Sequence, residues 1–110
     1  MEREFSVDEA RELMPEVRER VTAIIAARRD VALLADGPTA ERKGAEARLA
    51  EEVEWFVRTG VQVKGIAPVV LDFPGRVDGE PALLCWLEGE TDLVWFHRPE
   101  HGFMGRQELP

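Results

Sequence analysis

The chain has one cysteine, one serine, two histidines, two lysines and no tyrosine in 110 residues. Each scarcity excludes a class of chemistry. A lone Cys85 cannot close an intramolecular disulfide, argues against a zinc site built on cysteines, and fits a reducing, cytoplasmic setting. Ser6 is the only serine and is better read as a helix cap than as a nucleophile. Apolar runs are short: those near Ile24 and Leu83 fall well below the roughly 20 residues that cross a bilayer. The opening Met-Glu-Arg-Glu-Phe has neither the basic flank nor the apolar stretch of a signal peptide. No glycine-rich phosphate loop is present, because Gly102-Phe-Met-Gly105-Arg lacks the required Lys and Ser/Thr. Positive charge is also scarce, with 14 Lys and Arg against 22 Asp and Glu, a net charge of −8. The deficit is even, −4 over residues 1–60 and −4 over 61–110, so no basic patch points to nucleic acid or to an anionic membrane.

What is present describes a globular α+β chain. Hydrophobic residues make up 45% and charged residues 33%, and the length suits a single domain over residues 1–110. Composition changes near Gly60. Before it lie the helix formers Ala, Glu, Arg and Leu; after it come Val, Trp and Phe with most of the Gly and Pro. The first part, 1–60, predicts an antiparallel helical hairpin. Ser6-Val-Asp-Glu9 is a capping box, with Phe5 placed to act as a staple. Pro15 predicts a kink or a restart in the first helix, and Val17, Val21, Ile24, Arg28 and Val31 continue at helical spacing to Leu34. Asp36-Gly-Pro38 is a turn and Thr39 can cap a second helix. That helix carries Ala45, Leu49, Val53 and Phe56 on one stripe and stops at Gly60.

Residues 61–110 predict a small antiparallel β-meander and a C-terminal tail. Strands are expected at Val61 to Lys64, Val69 to Phe73, Ala82 to Leu87 and Leu93 to His97, with Asp78-Gly79 as a two-residue hairpin loop. That loop sets Val77 against Glu80, Asp72 against Cys85 and Leu71 against Trp86. A bulge is expected at Pro74-Gly75. If the next loop spans 88–91, Trp86 faces Leu93. One face then carries Leu71, Phe73, Leu84, Trp86, Leu93 and Trp95 with His97 at its end. The other holds Asp72, Arg76, Leu83, Cys85, Val94 and Phe96. A slip of one residue swaps the faces. The helices should cover the first face, and the second needs cover from the C-terminal tail, a ligand or a second copy of the chain.

The chemistry-bearing residues are few. His97-Arg-Pro-Glu100-His101 matches a zinc-peptidase pattern, but that chemistry needs both histidines on one helix face, and Pro99 and Gly102 forbid the helix. Cys85, mid-strand among apolar neighbours, reads as a buried inert thiol, with a thiolate activated near His97 or Arg76 as the minority alternative. Trp55, Trp86 and Trp95 read as core. The remaining constellation is Asp72, Arg76, Glu90, His97, Arg106 and Gln107, all at strand ends or in loops. Asp72 with Arg76 or Arg106 reads as a structural ion pair, or as half of a pocket in which arginine binds a carboxylate or phosphate. His97 is a hydrogen-bonded histidine at the core edge, a general base or a metal ligand. A metal site of His97, Asp72 and Glu90 is possible in residue type, without diagnostic spacing.

The sequence resembles the small prokaryotic proteins grouped as domain of unknown function 2203. The resemblance spans nearly the whole chain. It rests on Phe5-Ser-Val-Asp-Glu-Ala10, Leu13-Met-Pro15, Gly60-Val-Gln-Val-Lys64, Leu71-Asp-Phe-Pro74 with Arg76 and Gly79, and Leu84-Cys-Trp86. Gly89-Glu90, Trp95-Phe-His97, and Gly102-Phe103 with Gly105-Arg-Gln107 complete it. The chain departs from the pattern at Arg11, where a small polar residue is expected, and His101 falls in a variable position. The resemblance implies a fold pattern and the same six rim residues, and no reaction. The expectation is a cytoplasmic, non-enzymatic homodimer, without a cofactor. It would use the rim, chiefly Arg76, Arg106 and Gln107, to bind a partner or a small anionic ligand. The competing expectation is an enzyme or metal-binding protein. There His97 serves as base or ligand, Asp72 orients it or shares the metal, Glu90 is a further candidate, and Arg76 and Arg106 hold an anionic substrate.

Overall fold

The computed structural model describes residues 3–110. Two helices, α1 (Val7–Leu33) and α2 (Thr39–Thr59), precede five strands: β1 (Gln62–Ile66), β2 (Val69–Val77), β3 (Glu80–Leu87), β4 (Trp95–His97) and β5 (Gln107–Glu108). The strands form one antiparallel sheet in chain order, and the helices pack on each other and over one face of it.

The capping box starts α1 as expected. The Glu9 amide donates to the Ser6 hydroxyl at 3.0 Å and the Ser6 amide donates to the Glu9 carboxylate at 2.9 Å. Those bonds to the Ser6 backbone and side chain hold the Glu9 carboxyl below its usual range. The helix does not restart at Pro15; it runs through it as one element of 27 residues. Near that point the Arg11 guanidinium donates to the Leu93 carbonyl at 3.1 Å, tying the helix to the loop before β4. Thr39 is not the cap of α2. Pro38 occupies the cap position, its carbonyl accepting the Arg42 amide at 3.0 Å, and no side chain caps the helix. At the other end Gly60 adopts φ 91°, the left-handed conformation that glycine accepts without strain.

The core lies between α1 and the sheet. Val17, Val21 and Ile24 meet Leu71, Phe73 and Leu84, while Phe56 is the one fully buried residue of α2. Leu49 and Val53 only pack against its margin. Phe5 stands edge-on to Phe73, ring centroids 5.4 Å apart.

The Asp78-Gly79 loop forms with φ 56° and 79°, the two positive values of the tight hairpin turn. The β2–β3 register is the one expected, pairing Val77 with Glu80, Asp72 with Cys85 and Leu71 with Trp86. Pro74 and Gly75 need no bulge, since they pair in sequence with Leu83 and Ala82. The reason lies on the outer edge. The Phe5 amide donates to the Pro74 carbonyl at 2.7 Å, so the backbone polar groups of Pro74 point away from β3 and its missing N–H breaks no bond there. Gly75 is required because a Cβ there would collide with the Phe5 carbonyl. The bulge occurs in β1 instead, between Val63 and Gly65.

The β3–β4 register corrects the sequence reading. Leu83 pairs with His97, Leu84 with Phe96 and Cys85 with Trp95, one residue from the expected alignment. The connection runs to residue 94, and Leu93 enters the core from outside the strand. A slip of one exchanges faces. Phe96 therefore joins the core at 4% exposure, while Trp95 and His97 move to the face of Asp72 and Cys85. The chain's own C-terminal segment covers that face. Pro99, Gly102 and Phe103 stand over Asp72, Leu83 and His97, and the Arg106 guanidinium lies over the Trp95 and Phe103 rings at 5.1 and 4.7 Å.

Candidate functional site

Three adjacent strands bring three reactive side chains together beneath this cover. Asp72 comes from β2, Cys85 from β3 directly opposite it, and His97 from the end of β4. Asp72 and His97 are each 3% exposed and Cys85 is 0% exposed. One carboxylate oxygen, the thiol sulfur and one imidazole nitrogen all lie within 4.8 Å of one another.

Hydrogen bonding at His97 decides what this cluster can do. Nδ1 stands 2.9 Å from the Arg98 carbonyl. A carbonyl only accepts, so Nδ1 carries a proton. In a neutral imidazole Nε2 is then a lone pair, and it faces both oxygens of Asp72 at 3.2 Å. Two acceptors in a buried site repel unless something positive lies between them. A proton held between them, on the ring or on the carboxyl, is one solution. A metal ion is the other, and a histidine whose far nitrogen donates to a backbone carbonyl is the usual form of a metal-bound histidine.

The cysteine is held as a neutral thiol. Burial, followed by the charge of Asp72, pushes its pKa up to about 12, against a smaller opposing pull from Arg106.

The other expected rim residues divide around this cluster. The Glu90 carboxylate accepts the Leu87 amide at 2.7 Å and pairs with Arg106 at 2.7 and 2.8 Å. Arg106 also reaches the Cys85 carbonyl at 3.4 Å, so this ion pair flanks the cluster without joining it. Arg76 sits at the hairpin end, exposed, bonded to Glu4 at 3.3 Å and to the Gly79 carbonyl at 3.1 Å. Gln107 is an exposed residue of β5, paired with Phe96. His101 lies in an exposed turn, so the two histidines of the peptidase-like pattern share no helix. The member that sequence reasoning set aside is Cys85. The Asp72–Cys85 pairing was legible; the slip that carries His97 onto the same face was not.

Asp72 and His97 line a cavity of about 300 Å³ together with Lys64, Val70, Leu83, Pro99, Gly102 and Phe103. Buried polar groups converging on the floor of a mostly apolar hollow are the usual form of a binding site.

The family model of domain of unknown function 2203, described as an uncharacterized conserved protein, matches residues 3–109. The chain belongs to this family. No curated protein and no solved structure matches it. Among the described residues, no helix is long and apolar enough to cross a membrane. The match takes in Asp72, Cys85 and His97 together with every wall of the cavity above them.

Proposed function

We propose that this member of the family is a metal-binding protein in which Asp72, Cys85 and His97 hold one divalent transition ion of the zinc type. One observation carries the reading: the lone pair of His97 Nε2 is aimed at the Asp72 carboxylate, 3.2 Å away in a buried site, with a sulfur alongside. Donors around tetrahedral zinc stand about 3.3–3.8 Å apart, from bond lengths of about 2.0–2.3 Å. The His97–Asp72 separation is close to that spacing, and the Cys85 sulfur lies within 4.8 Å of both ligand atoms. A thiolate, an imidazole and a carboxylate form a borderline-soft set suited to zinc or cobalt and poorly suited to calcium or magnesium. The arginine-based anion site has weaker support, because Arg106 and Arg76 are engaged by Glu90 and Glu4.

Cobalt titration of the full chain tests the proposal. A thiolate-to-cobalt charge-transfer band at one ion per chain is expected. Cys85→Ser should abolish the band, and His97→Gln should weaken binding at least about a hundredfold, with circular dichroism checking that both variants fold. Nitrogen NMR in excess zinc that finds protons on both nitrogens of His97 would overturn the metal reading in favour of an imidazolium–carboxylate pair.

A further inference from the structure

The geometry points to a small monocarboxylate as the fourth ligand of this centre, clamped by Lys64; the inference rests on the metal reading. Three protein donors leave one position of a tetrahedral ion open. Two of them, Asp72 and His97, line the cavity of about 300 Å³, so its interior is where a fourth ligand would sit. The volume lies at the lower end for small-molecule sites.

Charge selects the ligand. A divalent ion offsets the carboxylate of Asp72 and the thiolate of Cys85, leaving a neutral centre. An anion in the fourth position makes the centre negative, which is costly in a covered site unless a cation stands near. The neighbouring arginines are committed: Arg106 to Glu90, Arg28 to Glu88, Arg76 to Glu4. Lys64 lines the cavity and makes no ion pair among the described residues.

The position of Lys64 is built into the sheet. It is the extra residue of the β1 bulge, lying between Val63, paired with Leu71, and Gly65, paired with Val70. Bulges of this kind redirect a side chain beside a site. The ammonium supplies the missing charge, while Val70, Leu83, Pro99 and Phe103 offer apolar walls to a short hydrocarbon body. A fully polar anion such as phosphate gains the charge but wastes the walls. A carboxylate with a few carbons uses both.

The test uses the cobalt-loaded full chain. Butyrate should shift the cobalt ligand-field bands saturably and chloride at equal ionic strength should not. Lys64→Gln, at an exposed position, should weaken the butyrate response about tenfold, the scale of one charge-assisted contact, with the thiolate-to-cobalt band unchanged. Bands that butyrate leaves untouched overturn this inference while the metal centre stands. A Lys64→Gln response equal to that of the parent chain, or phosphate binding as tightly as butyrate, overturns it as well. Absence of the thiolate-to-cobalt band removes the centre itself, and this inference with it.

Discussion

The two faces of the sheet are built differently and closed to different degrees, with Leu83 and Trp95 on the outer face only half-buried. On the helix side Leu71, Phe73 and Leu84 are each 0% exposed under helices of 27 and 21 residues. On the other side Asp72, Cys85 and His97 are 0–3% exposed under a largely irregular segment whose regular elements are the short turn Phe103–Gly105 and the two-residue strand β5. Burial alone therefore does not distinguish a core from a site. The difference lies in what is buried and in how much structure holds the cover down. An apolar face needs a rigid lid and gains stability from it. A polar cluster that exchanges a ligand needs a lid that can be displaced, and loops serve that purpose at lower cost.

Substitutions can break this contrast. Phe73→Ala on the helix side should cost about 3–5 kcal/mol, measured by urea unfolding. Leu83→Ala, on the other face and only half-buried, should cost no more than about 1–2 kcal/mol. Equal costs would show that the C-terminal cover packs as firmly as the helices. The thiol gives a kinetic version of the same comparison. In metal-free protein at pH 8, a Cys85 pKa of about 12 should slow alkylation about a thousandfold relative to an ordinary thiol of pKa about 8.5. Alkylation at the rate of the unfolded chain would mean that the cover opens freely.

A smaller effect is expected at the margin between the faces. The Glu88 carboxylate binds Arg28 at 2.5 and 2.8 Å and accepts the Val69 amide at 2.9 Å, and Arg28 also donates to the Ile66 carbonyl at 2.7 Å. The bond to Arg28, then that to Val69, lowers the Glu88 pKa from 4.5 to about 2. A depressed acid stabilises the fold above its unfolded pKa and loses that stabilisation as pH falls through its folded pKa. Glu88→Gln should therefore cost about 1–3 kcal/mol at neutral pH. The gap to the parent chain should close between pH 4.5 and about 2, as read from urea midpoints across pH. The least effect is expected at Met104, 93% exposed on the cover. Met104→Ser should change stability by less than about 0.5 kcal/mol.

Much of the helix side was legible because local rules decide it. The capping box, the stripe of Val17, Val21 and Ile24, the Asp78-Gly79 turn and the Asp72–Cys85 pairing each follow from spacing or turn chemistry. Two local readings failed, the first for a tertiary reason. Pro74-Gly75 stays in register because Phe5, about 70 positions earlier, takes the outer edge. Thr39 does not cap because Pro38 already holds the cap position. The candidate site was legible in its members Asp72 and His97 and illegible in its assembly. Its geometry depends on whether the loop after Leu87 ends at residue 91 or 94, and composition does not settle that length. One shift placed His97 beside Asp72, made Cys85 its neighbour, and left Arg76, Glu90, Arg106 and Gln107 outside the cluster.

The register also sorts the tryptophans. Trp86 lies in the core at 4% exposure, its indole N–H without a hydrogen-bond partner among the described residues, while Trp95 faces the other way against the Arg106 guanidinium. Their emission should differ in colour, that of Trp86 bluer in its apolar surroundings and that of Trp95 shaped by a nearby charge. With Trp55 and one of this pair replaced by phenylalanine, two single-tryptophan chains result, each with one optical probe watching one side of the same sheet.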